Sequence, residues 1–423
     1  MNILLFSTLY PNAEHPHHGI FVENRLRHLL ADSGYSAHVV APVPWFPFQA
    51  DRFGRYARLA RVPKREARHG LTIDHPRYPV IPRLGMTVAP WLLYRSARRA
   101  LLRLRKEGHR FDLIDAHYFY PDGVAAALLA RDFGLPLTIT GRGTDLNLIP
   151  RYPLCRRQIA WAANRADGLI TVCNALADDL AALGPPRDKV TVLRNGVDLS
   201  VFRPDSIGAR QLRRERGAVR DGEPLILSVG HLIDRKGHNL AIDAMARLGR
   251  GQLWIVGSGP EEKRLKALAA AQGVAERVQF LGTFPHDQLA RVYSAGDVLV
   301  LASSREGWPN VLLESMACGT PVVATPVNGS PEVVRDAIAG TVVGDRTPEA
   351  LAEGLASVLD RAPDRAAVRR YAEAFSWTET SRGQMALFKA ICSRGAAAPG
   401  ATAAMSDDPI DEAEVAALGD DRL

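Results

Sequence analysis

The sequence predicts an α/β fold made of two doubly wound parallel-sheet units in series. Three observations carry this reading. Short apolar runs alternate with segments of helical periodicity, which is the βαβ pattern of a parallel sheet. The runs are continuously apolar, as strands covered on both faces are. The alternation halts once, in the polar stretch Arg203 to Glu223, and then restarts.

In chain order, Asn2 to Ser7 is a strand ending in the loop Thr8 to Gly19. Ile20 to Leu30 follows with helical spacing at Ile20, Leu26, Leu29 and Leu30, and Tyr35 to Pro42 reads as the next strand. Phe111 to Ala116, Leu135 to Thr140, Gly168 to Cys173 and Lys189 to Leu193 continue the strand series, with helices at Gly123 to Phe133 and Ala175 to Leu183. Arg194-Asn195-Gly196-Val197-Asp198 has turn chemistry. The stretch after it carries Pro204, Gly208, Gly217 and Gly222, which places the domain boundary there. Pro224 to Gly230, Gln252 to Val256, Arg277 to Leu281 and Asp297 to Ala302 are the strands of the second unit. Lys236 to Leu248, Glu261 to Gln272 and His286 to Ser294 are its helices. Arg369 to Ile391 is a final helical pair around Phe375-Ser376-Trp377. The domains are therefore expected at 1–203 and 204–370, with a closing helix at 371–393. The Ala/Gly-rich, then acidic, tail 394–423 is expected to be disordered.

The chain has 423 residues, enough for each half to bury its own core. Its four cysteines, Cys155, Cys173, Cys318 and Cys392, are scattered and form no C-x-x-C pair, as in a reducing compartment. No basic-then-apolar leader opens the chain, and no apolar run approaches the roughly 18 residues that span a bilayer. A cytoplasmic protein is expected, at most peripheral on the inner face of the cell membrane.

Doubly wound sheets place ligands at the carboxyl ends of their strands. The loop after Asp297 to Ala302 reads Ser303-Ser304-Arg305-Glu306-Gly307-Trp308-Pro309-Asn310, and a helix begins with Val311-Leu312-Leu313-Glu314. Pro309 suits a first helical position, and the amides after it, with the helix dipole, suit a phosphate. Acids on both sides of such a site fit the hydroxyls of a sugar nucleotide. A capping acid and an exposed helix acid are the alternative reading of Glu306 and Glu314. At the end of the first strand of the second unit, Gly230-His231-Leu232-Ile233-Asp234-Arg235-Lys236 offers two cations to a diphosphate.

Glu306-x7-Glu314, with its Gly307-Trp308-Pro309-Asn310 insert and the trailing Cys318-Gly319-Thr320-Pro321, resembles the signature of glycosyltransferase family 4. The resemblance covers about residues 1 to 392. It implies the GT-B fold, two Rossmann-like domains facing a central cleft, and transfer with retained anomeric configuration. It further implies that Glu314 binds the nucleotide ribose and that Glu306 contacts the transferred sugar. Amides near Pro309 to Leu312, Val311 among them, would hold the distal phosphate, and Arg235 and Lys236 would stabilise the leaving diphosphate. His231 stands where the family usually carries Arg. His117, in Asp115-Ala116-His117-Tyr118-Phe119-Tyr120-Pro121, matches the family histidine that contacts the sugar. Arg142 and Asp145, in Thr140-Gly141-Arg142-Gly143-Thr144-Asp145, either meet acceptor or sugar or pair with each other. Gly19 is either a close-approach glycine at a phosphate or a plain turn. Ser7-Thr8-Leu9-Tyr10-Pro11 with Gly19-Ile20-Phe21-Val22 looks closest to the teichuronic acid and exopolysaccharide branch.

The expected substrates are thus a nucleotide-sugar donor, UDP-linked by default, and a glycan or polyprenyl-linked acceptor. No cofactor is expected, and the absence of an Asp-x-Asp motif predicts metal independence. A sugar-nucleotide 2-epimerase of the same architecture and a non-catalytic nucleotide-binding subunit are the rival readings. The net charge of +7 is concentrated in two stretches, Arg52 to Arg68 and Arg95 to Arg110. Leu93, Ala97, Leu101 and Leu104 form one stripe with Arg95, Arg98, Arg99, Arg103 and Lys106 off it. Either this is a core-packed helix with a solvated face, or, with Trp45, Phe46 or Trp91, it docks on anionic lipid. No nucleic-acid recognition motif accompanies the charge.

Overall fold

The computed structural model describes residues 1–80, 85–217 and 222–396; the acidic tail beyond 396 lies outside the described residues. The chain divides into two compact units, Met1–Arg194 with Thr380–Leu423, and Asn195–Glu379. The first break falls at Arg194 rather than at 203, because Asn195 to Phe202 folds onto the end of the second unit. Val197 N–H donates to the Phe375 carbonyl, and the Arg369 guanidinium reaches the carbonyls of Leu199 and Phe202. The second break, expected at 370, falls at Glu379.

The strands of the first unit are β1 Asn2–Phe6, β2 Ser36–Val40, β3 Val43–Pro44, β4 Arg65–Arg68, β5 Leu71–Asp74, β6 Arg77–Tyr78, β7 Leu113–His117, β8 Leu137–Gly141, β9 Gly168–Thr171 and β10 Val190–Val192. Its helices include α1 Ile20–Ser33, α2 Arg55–Arg61, α3 Gly85–Lys106, α4 Val124–Phe133, α5 Thr144–Asn147, α6 Pro153–Arg165 and α7 Asn174–Ala181. The sheet runs β10-β9-β8-β7-β1-β2-β5-β4, parallel except for the β4–β5 pair, and β3 pairs with β6. Ile3, Leu4, Leu5 and Phe6 are wholly buried, as a central strand covered on both faces requires.

The second unit has α8 Ser206–Arg216, β11 Leu225–Val229, α9 His238–Leu248, β12 Gln252–Val256, α10 Glu262–Ala271, β13 Val278–Gly282, α11 Leu289–Ala295, β14 Val298–Leu301, α12 Asn310–Ala317, β15 Val322–Ala324, α13 Ser330–Val333, β16 Gly340–Val342, α14 Pro348–Arg361 and α15 Arg365–Glu373. Its parallel sheet is ordered β13-β12-β11-β14-β15-β16. The last helix, α16 Trp377–Ala396, runs past Arg394, where the tail was expected to begin, and belongs to the first unit from Thr380 on. α8 was missed in the sequence, where its stretch reads as linker. It buries only Ala209 and Leu212, and its start is fixed by Asp205, whose carboxylate accepts the Gly208 N–H.

In each sheet the strand order reverses beside the first strand: β1 lies between β7 and β2, and β11 between β14 and β12. Ligands in such sheets bind outside the carboxyl ends at these reversal points. The loops that follow β1 and β7, and those that follow β11 and β14, are therefore where function is to be sought.

The β11 loop ends at Gly237, which has φ +70° and whose added Cβ would lie 2.0 Å from the Ala302 carbonyl oxygen. Only glycine lets this loop lie against the end of β14. Gly237→Ala is expected to destabilise the protein by about 2 kcal/mol or more, the left-handed backbone and the clash adding together. Denaturant unfolding followed by tryptophan fluorescence measures this; an unchanged midpoint would contradict it.

Candidate active site

In the second unit, the turn after β11 and the loop after β14 are joined through one buried carboxylate. Glu306, 8% exposed, accepts from Lys236 Nζ at 2.6 Å, from Arg235 Nη1 at 3.3 Å and from Ser303 Oγ at 2.6 Å. Arg235 Nη1 also donates to the Arg305 carbonyl at 2.9 Å, and the Glu306 amide donates to Asn328 Oδ1 at 3.2 Å. Burial alone would push the Glu306 carboxyl up, but Lys236 and Arg235 outweigh it and hold the group below its ordinary range. Glu306 is therefore an anion clamped by two cations, not a capping acid. The three groups together carry one net positive charge at the end of β11.

Glu314, on α12, accepts from the Tyr293 hydroxyl at 2.7 Å through Oε2. Burial raises its pKa, opposed by His286, Tyr293 and Lys236. The expectation for Pro309 is corrected: α12 starts at Asn310, and Pro309 precedes it with φ −80° and ψ 81°. These angles and the Asn310 N–H donated to the Trp308 carbonyl at 3.0 Å make an inverse γ-turn, which holds Pro309 out of the helix. The Leu312 amide is likewise engaged, with the Pro309 carbonyl at 3.0 Å, so Val311 is the donor this run can still offer a phosphate. Trp308 is buried against Phe375 at 6.2 Å between ring centroids, which fixes the loop from within. Leu312 is fully buried, whereas Val311 and Asn310 are half-buried; Asn310 Oδ1 accepts from Asn195 Nδ2 at 3.3 Å. Gly307 packs its carbonyl oxygen against Gly329. Gly230 and exposed His231 lie on the β11 turn, Gly230 beside the aliphatic part of Lys236.

In the first unit, the turns after β7 and β8 converge. His117 is 1% exposed, and both its ring nitrogens are engaged. Nε2 lies 3.2 Å from Asp115 Oδ2, and Nδ1 meets Arg142 Nη2. Because a guanidinium only donates, Nδ1 is the acceptor and the proton sits on Nε2, facing Asp115. Burial lowers the His117 pKa to about 4, Asp115 opposing and Arg142 assisting, so the ring is neutral. In this structure His117 is an interior link, and Arg142, 8% exposed, is the outer member of the pair. Arg142 also lies over the Phe21 ring at 5.3 Å. Asp145 is fully buried and accepts the main-chain N–H groups of Phe119, Arg142 and Gly143 at 2.7, 3.0 and 2.7 Å. It anchors the main chain rather than meeting an acceptor. Those bonds help hold Tyr118, whose φ of +85° is strained for a non-glycine residue beside His117. Gly19, with φ +69°, opens α1, and its added Cβ would lie 2.2 Å from the Leu9 carbonyl oxygen. Its freedom serves the fold of the β1 loop over the helix start.

One buried acid in this unit was missed. Asp122 accepts from the Thr8 amide at 2.7 Å, from Thr8 Oγ1 at 2.9 Å and from Ser7 Oγ at 3.3 Å, tying the β1 loop to the β7 turn. Burial pushes its pKa up to about 7, helped by Asp145 and opposed by the Ser7 and Thr8 donors. The signal was Pro121-Asp122-Gly123 shortly after β7, which reads as turn chemistry but not as a partner for Thr8.

Much of the basic charge of this unit is paired internally. Arg65 and Arg103 both bind buried Asp74, Arg68 binds buried Glu23, Arg98 binds Asp132, and Arg61 binds Glu14 and Asp51. Trp45 and Phe48 are each 54% exposed, while Phe46 and Trp91 are half-buried, Trp91 beneath the Arg95 guanidinium. Among the described residues no helix is long and apolar enough to cross a membrane.

Residues 209–375 match the family of glycosyl transferases group 1, and residues 21–201 match glycosyltransferase family 4. The chain is 36% identical over 319 residues to a D-inositol 3-phosphate glycosyltransferase of Segniliparus rotundus, covering 69% of each. It is 27% identical over 333 residues to the putative teichuronic acid biosynthesis glycosyltransferase TuaC of Bacillus subtilis, covering 78% of this chain and 82% of that one. Sucrose-phosphate synthase of Thermosynechococcus elongatus superposes with a TM-score of 0.77 at 21% identity, covering 93% of this chain and 99% of that one. Anabaena Alr3699/HepE in complex with UDP-glucose superposes with a TM-score of 0.69 at 20% identity, covering 92% and 99%.

An acid whose folded pKa is raised favours folding while it is protonated in both states. It loses that advantage as pH climbs from the unfolded value, about 3.9, to the folded one. For Asp122 the window therefore runs from about pH 4 to about 7. Asp122→Asn keeps an acceptor for Thr8 and removes the titration. The variant is expected to gain stability over the wild type across this window and to keep the gain above it. Urea midpoints at a series of pH values measure this, and parallel pH profiles would contradict it.

Proposed function

Because the chain belongs to glycosyltransferase family 4 and has the GT-B fold of two Rossmann-like domains, we propose that it transfers a sugar from a nucleoside-diphosphate sugar to a cell-surface glycan or polyprenyl-linked acceptor, with retention and without a metal. The observation that carries the proposal is the Lys236–Glu306–Arg235 cluster at the carboxyl ends of β11 and β14. Two cations there suit a diphosphate leaving group, and supplying its counter-charge from side chains removes the need for a metal ion. Glu306, kept ionised and spanning both cations, takes the hydroxyls of the transferred sugar. Glu314 takes the ribose, and the Val311 amide a phosphate oxygen. Arg142, steadied by His117, serves the acceptor side. UDP is the default base, in keeping with the UDP-glucose bound by the similar HepE protein.

The acceptor has two readings. Likeness to TuaC favours a polysaccharide acceptor, and likeness to D-inositol 3-phosphate glycosyltransferases favours a small phosphorylated polyol. For the lipid-linked version, the exposed Trp45 and Phe48 and the basic face of α3 would meet the inner face of the cell membrane.

Thermal-shift screening with UDP, GDP and ADP, then their sugars, is expected to single out one base by a raised midpoint. With that donor, Glu306→Ala and Lys236→Ala are each expected to lose on the order of 100-fold or more in turnover while keeping a native circular dichroism spectrum. Anomeric NMR of the product is expected to report retention, with the rate unchanged by EDTA. Wild-type turnover in either variant would refute the assignment of these residues. Sugar-nucleotide conversion without any acceptor would instead favour a 2-epimerase.

A further inference from the structure

The His117–Arg142 pair is one end of a longer buried chain within the first unit, and its other end lies on the last helix. Asp115, 1% exposed, uses both carboxylate oxygens: Oδ1 accepts from Thr138 Oγ1 at 2.8 Å, and Oδ2 accepts from His117 Nε2 and from Gln384 Nε2 at 2.9 Å. Gln384, on α16 and 1% exposed, turns its other end to Arg25 on α1, accepting from Arg25 Nε at 2.9 Å. Arg25 is buried too, donates through Nη1 to the Leu193 carbonyl at 3.0 Å, and has no partner on Nη2. A buried guanidinium and a buried carboxylate are thus separated by one neutral amide. A direct ion pair between them would be the stronger interaction in such surroundings. The amide blocks that pair and leaves Asp115 Oδ2 turned to the imidazole.

We propose that Gln384 is a positioning residue for the His117–Arg142 pair, acting through Asp115. Its side-chain N–H fixes the carboxylate orientation, and its carbonyl keeps Arg25 from capturing Asp115. Asp115 then holds the proton of His117 on Nε2, which presents Nδ1 to Arg142 and sets where the guanidinium stands. The charged groups facing His117 are Asp115 on its own strand, Arg142 from the turn after β8 and Arg25 from α1. The catalytic part of the inference rests on the acceptor-side role given above to Arg142; the relay itself does not.

The test uses the full chain labelled with 15N-histidine, the His117 signals being assigned by their loss in His117→Gln. In the wild type the ring nitrogens are expected to report a single neutral Nε2–H tautomer from pH 5 to 8. Gln384→Met keeps the shape but frees Arg25 to take Asp115, so the His117 tautomer is expected to become mixed. Turnover is expected to fall roughly tenfold, with the midpoint shift given by UDP unchanged. Gln384→Glu, which keeps the acceptor for Arg25 and loses the donor to Asp115, serves should the Met variant not fold, and is expected to disturb the tautomer likewise. An unaltered tautomer in both variants overturns the relay, and an altered tautomer with wild-type turnover overturns its catalytic part. If His117→Gln and Arg142→Ala both turn over normally, the acceptor-side reading falls. The NMR result still decides the relay.

Discussion

The arrangement of the second unit depends on one buried ion cluster. Glu306 sits in a place where a carboxylate alone would be expelled or protonated, and two cations 70 and 71 residues earlier keep it charged. The cluster fastens the turn after β11 to the loop after β14, the two loops that flank the strand reversal. It also limits what the site can bind. With one anion against two cations, the loop ends keep a positive excess, which the proposed diphosphate site calls for.

Glycine supplies the geometry that lets these charges meet. Gly237 passes its backbone against the Ala302 carbonyl, where any side chain would collide, and so brings Lys236 to the end of β14. The first unit uses a different device at the equivalent strand ends. There the loops are tied by acids bonded to the main chain, Asp122 to Thr8 and Asp145 to the Phe119, Arg142 and Gly143 amides. Those bonds offset the cost of the strained Tyr118 backbone beside His117.

Strands β1, β2 and β7 to β14 were legible because parallel strands are buried on both faces and leave unbroken apolar runs. Strands β3 to β6, β15 and β16 were not: β3 and β6 have two residues each and β15 and β16 three, too short to show a period, and β4 carries Arg65 and Arg68 on a sheet edge with no buried position. α8 escaped because it buries only two side chains, Ala209 and Leu212. Glu306, Lys236 and Arg235 could be named from local motifs, but their mutual pairing could not, since it joins positions some 70 residues apart. Pro309 was misplaced by one residue: helix propensity permits proline in the first turn, but the Trp308–Asn310 γ-turn took it instead. His117 was identified by type, but its burial between Asp115 and Arg142 was not, since Arg142 lies 25 residues further along the chain.

The proposed role of Glu306 is to restrain the two cations that would receive the diphosphate. Calorimetric titration of UDP into wild type and Glu306→Gln tests it most directly, at two ionic strengths. Neutralising the carboxylate raises the local charge from one to two positive, so UDP is expected to bind more tightly to Glu306→Gln and with a steeper salt dependence. Weaker binding with an unchanged salt dependence would contradict the account.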